Sequence, residues 1–435
     1  MAAHDGALRG VAAGLALALL GCAGGEAEPV CARVTWSELQ LGTAEDDVGV
    51  ALGVDAACHV YVAGTTRGRF EGAPEGAQGA EDAFLLRLGT DGRPAWVRQL
   101  GSPEADTLAD LAVDAAGDAV LVGTAQGALP GRSASPEGDL YAARYGADGS
   151  LRWTRQQGGP GTDLGMGVAL GDDGQVCLSG GSVAGTGSLG APAPEPRGGT
   201  EATLDCLDAQ GQLLWRSVYG TEADDWGHPL ARGPDGALYV AGATMGGMEG
   251  EGAGSTDVFL TRFGPDHART WTRQLRTPDI DGPLAVALDG HGGLYLLAVS
   301  FSDLLTGALE NDGVQNAFLF RFREDGTLEW ARRLGRAEDA ARASGLALDA
   351  AGGVYVAGTT RGALEGAPRG GSDAFLAKLD ARGDTVWVRQ WGSPADDEAR
   401  DVVVTRAGDV LVVGSTRSAA GERDVVLRRF DTDGR

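Results

Sequence analysis

Short apolar segments separated by Gly and Asp recur along the chain between residues 33 and 435. In one period they are Leu108–Asp114, Ala119–Gly123, Asp139–Tyr145 and Leu151–Gln156. Each segment is rich in Val, Leu or aromatic residues and is bounded by turn-forming residues, which is typical of a β-strand. The pattern therefore predicts an all-β chain that is built from groups of four strands.

Tryptophan marks the period of this pattern. It occurs at residues 36, 96, 153, 215, 271, 330 and 387, and only Trp226 and Trp391 fall outside the series. Asp-Gly pairs such as Asp91-Gly92 and Asp148-Gly149 join the third and fourth segments, and Asp-Gly tolerates the positive φ angles of tight hairpin turns. Four antiparallel strands at near-constant spacing predict a β-propeller. The competing architecture, an open solenoid, needs polar capping repeats.

The number of segments predicts a closed ring of seven blades. Six periods contain all four segments, whereas the seventh stops at Arg435 without its Trp-bearing strand. That strand stands at the other end of the chain as Arg33–Leu39. We expect it to pair with the C-terminal blade, because pairing removes the exposed edges of an open array. The prediction is a seven-bladed β-propeller of four-stranded antiparallel blades over residues 33–435.

One sequence pattern recurs in most periods: Gly-x-x-x-(Asp/Glu)-Asp, then apolar-Ala-apolar-Asp, then apolar-Tyr-Val-Ala-Gly-x-Thr. It is clearest in residues 42–66, 220–244 and 335–360, and Asp-x-Phe-Leu-x-(Arg/Lys) follows at Asp82, Asp257 and Asp373. Blade 3 departs from it with Glu201–Cys206. The pattern resembles the bacterial SBBP-type β-propeller repeat. This resemblance implies a propeller on a surface or periplasmic protein, and it carries no catalytic residues.

A shorter pattern resembles a second family. Residues 91–96, 148–153 and 210–215 each run from a Gly-containing turn to a Trp. They are loosely similar to PQQ-like propeller repeats, which occur in an outer-membrane barrel-assembly lipoprotein. The resemblance keeps a structural role in membrane assembly open as an alternative.

The first 22 residues have the character of an export signal. The apolar run Val11–Leu20 is too short to span a bilayer. It is followed by Leu-Leu-Gly-Cys22, which resembles the lipobox of bacterial lipoproteins. The resemblance implies that residues 1–22 form a signal, that Cys22 carries lipid, and that residues 23–32 form a tether. Ala23 suits the outer membrane in that family, so we expect a lipid-anchored protein of the cell envelope. The alternative is an ordinary secretory signal with an incidental Cys.

The net charge of the chain and the absence of known catalytic motifs exclude several classes of function. The chain has 61 acidic and 36 basic residues, and its net charge of -25 argues against nucleic acid or an anionic membrane surface as a partner. No hydrolase, metalloprotease or phosphate-loop motif occurs. No His pairs with another His or Cys at metal-ligand spacing. The histidines that follow the leader are His59, His228, His267 and His291. We therefore expect no catalytic residues, no metal and no cofactor.

The recurrent polar residue is an aspartate eight residues before the end of each inner strand, which we place in the preceding loop. The positions are Asp47, Asp106, Asp163, Asp225, Asp281 and Asp397, with Ala341 in the sixth period. Five periods also place Arg two residues after the Trp: Arg98, Arg155, Arg273, Arg332 and Arg389. We expect Asp and Arg to lie on the same rim. The first hypothesis is structural, with each Asp capping a turn or pairing with an Arg. The second is an acidic ring that binds a cation at the channel mouth.

Four cysteines remain once Cys22 is set aside, and exported proteins meet an oxidising compartment. Cys177 and Cys206 fall on the second and third strands of blade 3, where they can face each other across the ladder. Cys206 also occupies the place of an Arg or Lys in the other blades. The remaining pair is Cys31 and Cys58, which would fasten the N-terminal strand to blade 1. Four unpaired thiols are the alternative, because pairing cannot be read from spacing alone.

Strand direction predicts where the variable surface lies. Links from strand two to three and from blade to blade share one face of a four-stranded blade, and we expect both kinds to be longer than the tight turns of the opposite face. Function tends to reside on such loops over a rigid scaffold. We therefore predict a non-catalytic, envelope-anchored lipoprotein that binds an envelope protein or a glycan. The alternatives are the outer-membrane assembly factor and a propeller enzyme, either a quinoprotein or a glycan hydrolase.

Overall fold

The computed structural model describes residues 31–74, 79–135, 137–159, 161–183, 199–250, 255–276, 279–301, 316–334, 341–418 and 421–435. These residues form seven four-stranded antiparallel sheets, which confirms the predicted seven-bladed β-propeller. The predicted signal, Cys22 and most of the tether lie outside the described residues. No helix in the described part of the chain is long and apolar enough to cross a membrane.

Each of the first six blades is continuous in sequence, and its strands are numbered from the channel outwards. Blade 1 consists of β2 (Asp47–Val54), β3 (Val60–Thr66), β4 (Asp82–Leu88) and β5 (Pro94–Leu100). Blade 2 consists of β6 (Asp106–Val113), β7 (Ala119–Ala125), β8 (Asp139–Tyr145) and β9 (Leu151–Gln157). Blade 3 consists of β10 (Asp163–Leu170), β11 (Val176–Val183), β12 (Thr200–Leu207) and β13 (Leu213–Tyr219).

Blades 4 to 6 follow the same order. Their strands are β14 (Asp225–Arg232), β15 (Leu238–Thr244), β16 (Asp257–Phe263) and β17 (Arg269–Leu275); β18 (Asp281–Leu288), β19 (Gly293–Ser300), β20 (Asn316–Arg323) and β21 (Leu328–Leu334); β22 (Arg342–Leu348), β23 (Val354–Thr360), β24 (Asp373–Leu379) and β25 (Thr385–Trp391). Blade 7 consists of β26 (Asp397–Val404), β27 (Asp409–Arg417), β28 (Arg423–Asp431) and β1 (Glu38–Leu41).

The cores of the molecule lie between adjacent blades rather than within one sheet. The second strand of a blade, such as Val60–Thr66, is buried along its whole length, because both faces of the sheet are covered by neighbours. Its β-branched and aromatic residues suit that environment. Seven apolar clusters each combine residues of two consecutive blades. The ring is therefore a closed series of sheet-on-sheet interfaces.

The N-terminal strand closes the ring. β1 pairs antiparallel with β28, from Glu38 opposite Arg428 to Leu41 opposite Val425. The expected pairing is confirmed, but the strand covers Glu38–Leu41 and not Arg33–Leu39. The difference has a physical reason. Trp36 stands six residues before Gly42, whereas Trp96 stands five before Gly101, so the closing strand carries one extra residue and its paired part starts after Trp36.

The two faces of the ring differ in their links. Residues 55–59 and 89–93 show the five-residue turns of one face, which we call the turn face. The opposite face, the long-loop face, carries the links between second and third strands. These are residues 67–81, 126–138, 184–199, 245–256, 301–315, 361–372 and 418–422. The expectation of long blade-to-blade links is wrong for most of the ring, because residues 101–105 and 392–396 are as short as the turns.

Candidate functional site

Each of the six recurrent aspartates is the first residue of an inner strand, on the long-loop face. All six are buried, with exposed fractions of 0 to 7%: Asp47, Asp106, Asp163, Asp225, Asp281 and Asp397. Their carboxylates therefore lie beneath the links and do not form an open acidic surface. Among the described residues, no group of three or more His, Cys, Asp or Glu side chains could hold a metal ion.

Asp106 shows what such an aspartate does. Its Oδ2 accepts the backbone N–H of Ser102 at 2.5 Å, and its Oδ1 accepts the Ser102 hydroxyl at 3.0 Å and the backbone N–H of Gln126 at 3.1 Å. Burial raises the pKa of Asp106, and these hydrogen bonds oppose the shift. The N–H four residues earlier makes the same bond to Asp47, Asp163, Asp225 and Asp397. The geometry is that of a cap on the blade-to-blade link.

Most of the recurrent arginines donate hydrogen bonds to backbone carbonyls in a turn of the next blade, on the turn face. Arg98 Nε donates to Gly149 O at 2.6 Å, and Trp96 Nε1 donates to Ala147 O at 3.0 Å. The same arginine contact is made by Arg155 to Gly211, Arg273 to Gly326 and Arg389 to Gly434, while Arg332 lies over the Trp330 ring. The expectation that Asp and Arg share one rim is therefore wrong. Trp and Arg, two residues apart, project from the same side of a strand and both reach the turn.

A recurrent ion pair within the blades was not predicted from the sequence. In six blades the Arg or Lys near the end of the third strand pairs with an Asp in the first turn of its own blade, or directly after that turn in blade 7. The pairs are Arg87–Asp55, Arg144–Asp114, Arg262–Asp235, Arg321–Asp289, Lys378–Asp349 and Arg429–Asp409. The signal for it was present, because both residues recur at fixed positions in the repeat.

Blade 3 has a disulfide at the place of this ion pair. Cys177 and Cys206 are directly opposite each other on β11 and β12, with 4.1 Å between their Cα atoms. The structure also joins Cys31 to Cys58, with 4.9 Å between their Cα atoms. Cys58 lies in the first turn of blade 1, on the turn face. The second disulfide therefore holds the chain just before β1 against the neighbouring blade.

A recurrent glutamine near the end of the fourth strand fixes the base of a long loop. Gln390 Oε1 accepts the N–H groups of Leu364 and Glu365, and its Nε2 donates to Gly362 O and to Asp373 Oδ2. The equivalent glutamines hold Phe70, Leu129 and Met248: they are Gln99, Gln156 and Gln274.

We call Phe70, Leu129, Met248 and Leu364 the plug residues. Each lies four positions after its second strand and packs into the apolar cluster between its own blade and the preceding one. The loops differ in sequence, but their bases are held in the same way.

The inner strands surround a central cavity of about 430 Å³. Every inner strand has a register shift at the same height, and such β-bulges re-aim side chains. The bulges bring a varied set of residues to the cavity: Val50, Ala109, Met166, His228, Leu284, Ser344 and Arg400. His228 Nδ1 is buried without a hydrogen-bond partner, and burial lowers the pKa of this imidazole.

Two carboxylates in this cavity have no counterpart in the other blades. Asp110 Oδ2 accepts the N–H of Val168 in blade 3 at 3.0 Å, and Asp401 Oδ2 accepts the N–H of Leu52 in blade 1 at 2.8 Å. The second oxygen of each accepts the N–H of the following residue. Burial raises the pKa of Asp110 to about 7 and that of Asp401 to about 6. Their geometry joins neighbouring blades, since both oxygens of each carboxylate are occupied by backbone donors.

Comparison with known families agrees with the geometry. Residues 329–364 match the SBBP β-propeller repeat, and residues 408–435 match a β-propeller domain of unknown function (DUF5122). Residues 329–364 thus match an SBBP-type repeat, as the sequence pattern predicted. Regulatory protein FlaEY of Caulobacter vibrioides is 25% identical over 336 residues. The match covers 68% of this chain and 35% of FlaEY, so the chain spans about a third of that relative's length.

Solved structures show the same fold. A puromycin hydrolase mutant complexed with PGG superposes with a TM-score of 0.52 at 17% identity, covering 90% of this chain and 52% of the hydrolase. The Pan2 WD40 domain of Neurospora crassa superposes with a TM-score of 0.50 at 9% identity, covering 90% of this chain and 95% of that domain. At these identities the similarity establishes the β-propeller fold, which hosts both enzymes and binding modules.

Proposed function

We propose that this SBBP-repeat β-propeller is a non-catalytic lipoprotein, anchored in the cell envelope, that binds a protein or a glycan through its long-loop face. The lipobox-like segment at Cys22 supports the anchoring, and the net charge of -25 disfavours nucleic acid as a partner. Regulatory protein FlaEY is 25% identical to this chain over 336 residues. A regulatory role for the present chain would be exerted through the same binding face.

The observation that carries this proposal is the contrast between fixed loop bases and variable loop sequences. Gln99, Gln156, Gln274 and Gln390 each hold their loop by bonding the plug residue's N–H. The chain beyond each plug differs in length and composition from blade to blade. Loops that vary on a rigid framework are the usual location of recognition, whereas the turn face is made of near-identical five-residue turns.

Exposed apolar residues give the long-loop face a testable feature. Met245 and Ile280 are exposed by 49% and 52%. Met245 is the first residue of the loop 245–256 of blade 4, and Ile280, in the link to blade 5, forms a bridge with Thr256 at the other end of that loop. Apolar side chains at the centre of a contact surface contribute most of the binding energy. Leu214 and Val386 are exposed to a similar extent, 56% and 57%, but lie on outer strands away from the loops.

The test is capture of envelope proteins and glycans by the purified propeller, followed by quantitative binding of the captured ligand. We expect the Met245→Ser/Ile280→Ser variant to weaken binding by about tenfold or more, the range of one or two truncated contacts. The matched control is Leu214→Ser/Val386→Ser, which should bind normally. Equal binding by both double variants would reject the long-loop face as the binding surface.

The two alternative functions predict different outcomes of the same capture. An outer-membrane assembly factor would retain barrel proteins or assembly components and would bind no glycan. A propeller enzyme would release a changed product from the captured ligand, and a quinoprotein would carry quinone absorbance. Neither product release nor quinone absorbance is expected under the present proposal.

A further inference from the structure

A crevice of about 250 Å³ lies between blades 6 and 7, beside the closing strand β1. Blade 6 contributes Trp391 and Ser393 to its lining, and blade 7 contributes Glu38, Glu398 and Arg428. Further polar groups come from Gln40, Asp397, Ser415 and Thr416. The crevice lies at the long-loop face, next to the link of residues 418–422, but it includes neither Met245 nor Ile280, so its test is independent of the test of the proposed function.

Most other blades fill the equivalent space with apolar side chains. In blade 1 the plug residue Phe70 packs on Phe84 of the third strand, with 4.9 Å between the ring centroids. The pair Leu86 and Val97 continues this wall on the third and fourth strands. Tyr141, Phe259, Phe318 and Phe375 occupy the position of Phe84 in blades 2, 4, 5 and 6. Five of the seven blades therefore have an aromatic side chain at this position of the third strand.

Blade 7 departs from this rule in three coordinated ways. The link between β27 and β28 has five residues. Thr416 pairs with Asp397 as Thr66 pairs with Asp47, so the plug position, four residues later, is the small residue Ala420, which lies outside the described residues. Val426 stands in place of the aromatic residue. Glu38 and Arg428, paired across β1 and β28, stand in place of Val97 and Leu86. Together these changes remove an aromatic ring and a plug, and they line the space with charge.

Blade 3 shows that a polar wall alone does not open a crevice. It has Thr203 at the aromatic position and the pair Asp205–Arg216 on the third and fourth strands. That ion pair is closed, because the side chains are only 2% and 7% exposed and Gln157 of blade 2 donates to Asp205. In blade 7 the corresponding Glu38 and Arg428 side chains are 55% and 34% exposed. The blade 7 pair is thus accessible to a ligand.

The charges of the crevice indicate the class of ligand. Arg428 lies 5.3 Å from the Trp391 ring centroid and pairs with Glu38 at 3.5 Å, and Arg400 is held by Glu398 at 2.7 Å. Asp397 is the third carboxylate of the lining, although it is 7% exposed and accepts the backbone N–H of Ser393. The lining holds three carboxylates and one guanidinium group, that of Arg428. Arg400 lies outside the lining and pairs with Glu398, which leaves one net negative charge. The remaining groups are hydroxyls and an amide, which suit hydroxyl ligands. The volume is below the range of about 300–1,000 Å³ for drug-sized ligands.

We propose that this crevice binds a small polyhydroxylated ligand with one positive charge, of which an amino sugar is the simplest representative. The ammonium group would neutralise the excess carboxylate, while the hydroxyl groups would exchange hydrogen bonds with Thr416 and with the Gln40 amide, whose Nε2 also donates to Asp424. Trp391 and Arg428 form one wall of the site, and Val426 leaves the space that an aromatic ring fills in five other blades.

The experiment compares three sugars of one size and different charge on the purified full chain. Glucosamine, glucose and glucuronate are titrated by calorimetry. We expect glucosamine to bind with a Kd of about 1 mM, as its size allows. Glucose should bind at least about tenfold more weakly, equivalent to about 1.4 kcal/mol, and glucuronate more weakly still. Equal affinities for the three sugars, or no glucosamine binding at about tenfold that concentration, would overturn the proposal.

Two variants locate the site. Val426→Phe restores the aromatic residue of five other blades, so it should fold normally and abolish glucosamine binding by filling the crevice. Glu38→Gln should weaken glucosamine binding and leave glucose binding unchanged. The control is Glu71→Gln, which removes the same charge from an exposed residue of blade 1 and should have no effect. Undiminished binding of glucosamine by a folded Val426→Phe protein would show that the sugar binds elsewhere.

Discussion

Asp110 in the central cavity makes the stability of the propeller depend on pH in an unusual direction. Burial raises its pKa from 3.8 to about 7. The folded protein therefore holds this proton more tightly than the unfolded chain does. Between about pH 4 and 7 the folded state binds more protons, so the free energy of unfolding falls as the pH rises and levels off above the folded pKa. The ionised carboxylate is thus less favourable in the folded state than the protonated carboxyl.

The magnitude follows from the shift. A change from 3.8 to about 7 is about three pKa units, and each unit corresponds to about 1.4 kcal/mol, so full ionisation costs about 4 kcal/mol. Between about pH 4.5 and 7.5 the expected loss of unfolding free energy is about 3 kcal/mol. Asp401, with its pKa raised to about 6, adds a smaller loss that is complete at lower pH.

Denaturant unfolding of the wild type and of Asp110→Asn at several pH values measures this contribution. The amide keeps the shape and one acceptor for the N–H groups of Val168 and Leu111, so the variant carries a pH-independent penalty of about 1–3 kcal/mol. The difference between the two proteins should nevertheless shift by about 3 kcal/mol in favour of the variant as the pH rises. The control, Asp173→Asn, changes a carboxylate that is 60% exposed and should follow the wild type. Parallel pH profiles of the wild type and Asp110→Asn would refute the reasoning.

Four further predictions concern the ring, the caps, the cysteines and the loop bases. Deleting residues 32–40 removes β1 and should lower the melting temperature strongly and create binding of a hydrophobic dye; an unchanged melting curve would contradict closure by this strand. Ca²⁺ should not raise the melting temperature, since a cation that bound only the folded state would do so, whereas Asp106→Ala should cost about 1–3 kcal/mol by leaving its donors unpaired. Thiol counting on the unreduced, denatured protein should find no free thiol apart from Cys22, and two or more would exclude the two disulfides. In the chain-entropy model each disulfide stabilises the fold by about 3 kcal/mol. Gln390→Leu removes four hydrogen bonds from one loop base. Residues 361–372 should then become the first site of limited proteolysis. Cleavage of this loop at the wild-type rate would contradict the role of Gln390 in holding the loop base.

The fold could be predicted because its signals are local and repeated. The register Trp recurs seven times, the strand-length apolar segments recur in every period, and Asp-Gly recurs in four of the seven links between third and fourth strands. An error in one period is therefore corrected by the others. The closing strand was misplaced for the same reason: Ser37 follows Trp36 in a segment with one residue more than its equivalents. A shift of one residue exchanges the two faces of a strand, and spacing alone does not show where the extra residue is absorbed.

The site was harder to predict because its features arise between blades. Gln99 and Gln390 recur in the sequence, but their function depends on a loop that folds back onto the fourth strand. In the sequence, Asp110 is a polar residue in an alternating strand and is not distinguished from others. In the structure a β-bulge between Leu108 and Asp110 places it at the cavity. The recurrent aspartates were recognised, yet their burial follows from the short links above them, which the sequence analysis expected to be long.

The disulfide between Cys31 and Cys58 has a consequence for orientation. It fixes the start of the propeller to the turn face, only nine residues after Cys22 in the sequence. Nine residues span at most about 30 Å when fully extended, which is about the thickness of the hydrocarbon core of a bilayer. A lipid on Cys22 would therefore keep the turn face close to the membrane. The seven links of the long-loop face would then point away from the bilayer, where a binding partner can reach them.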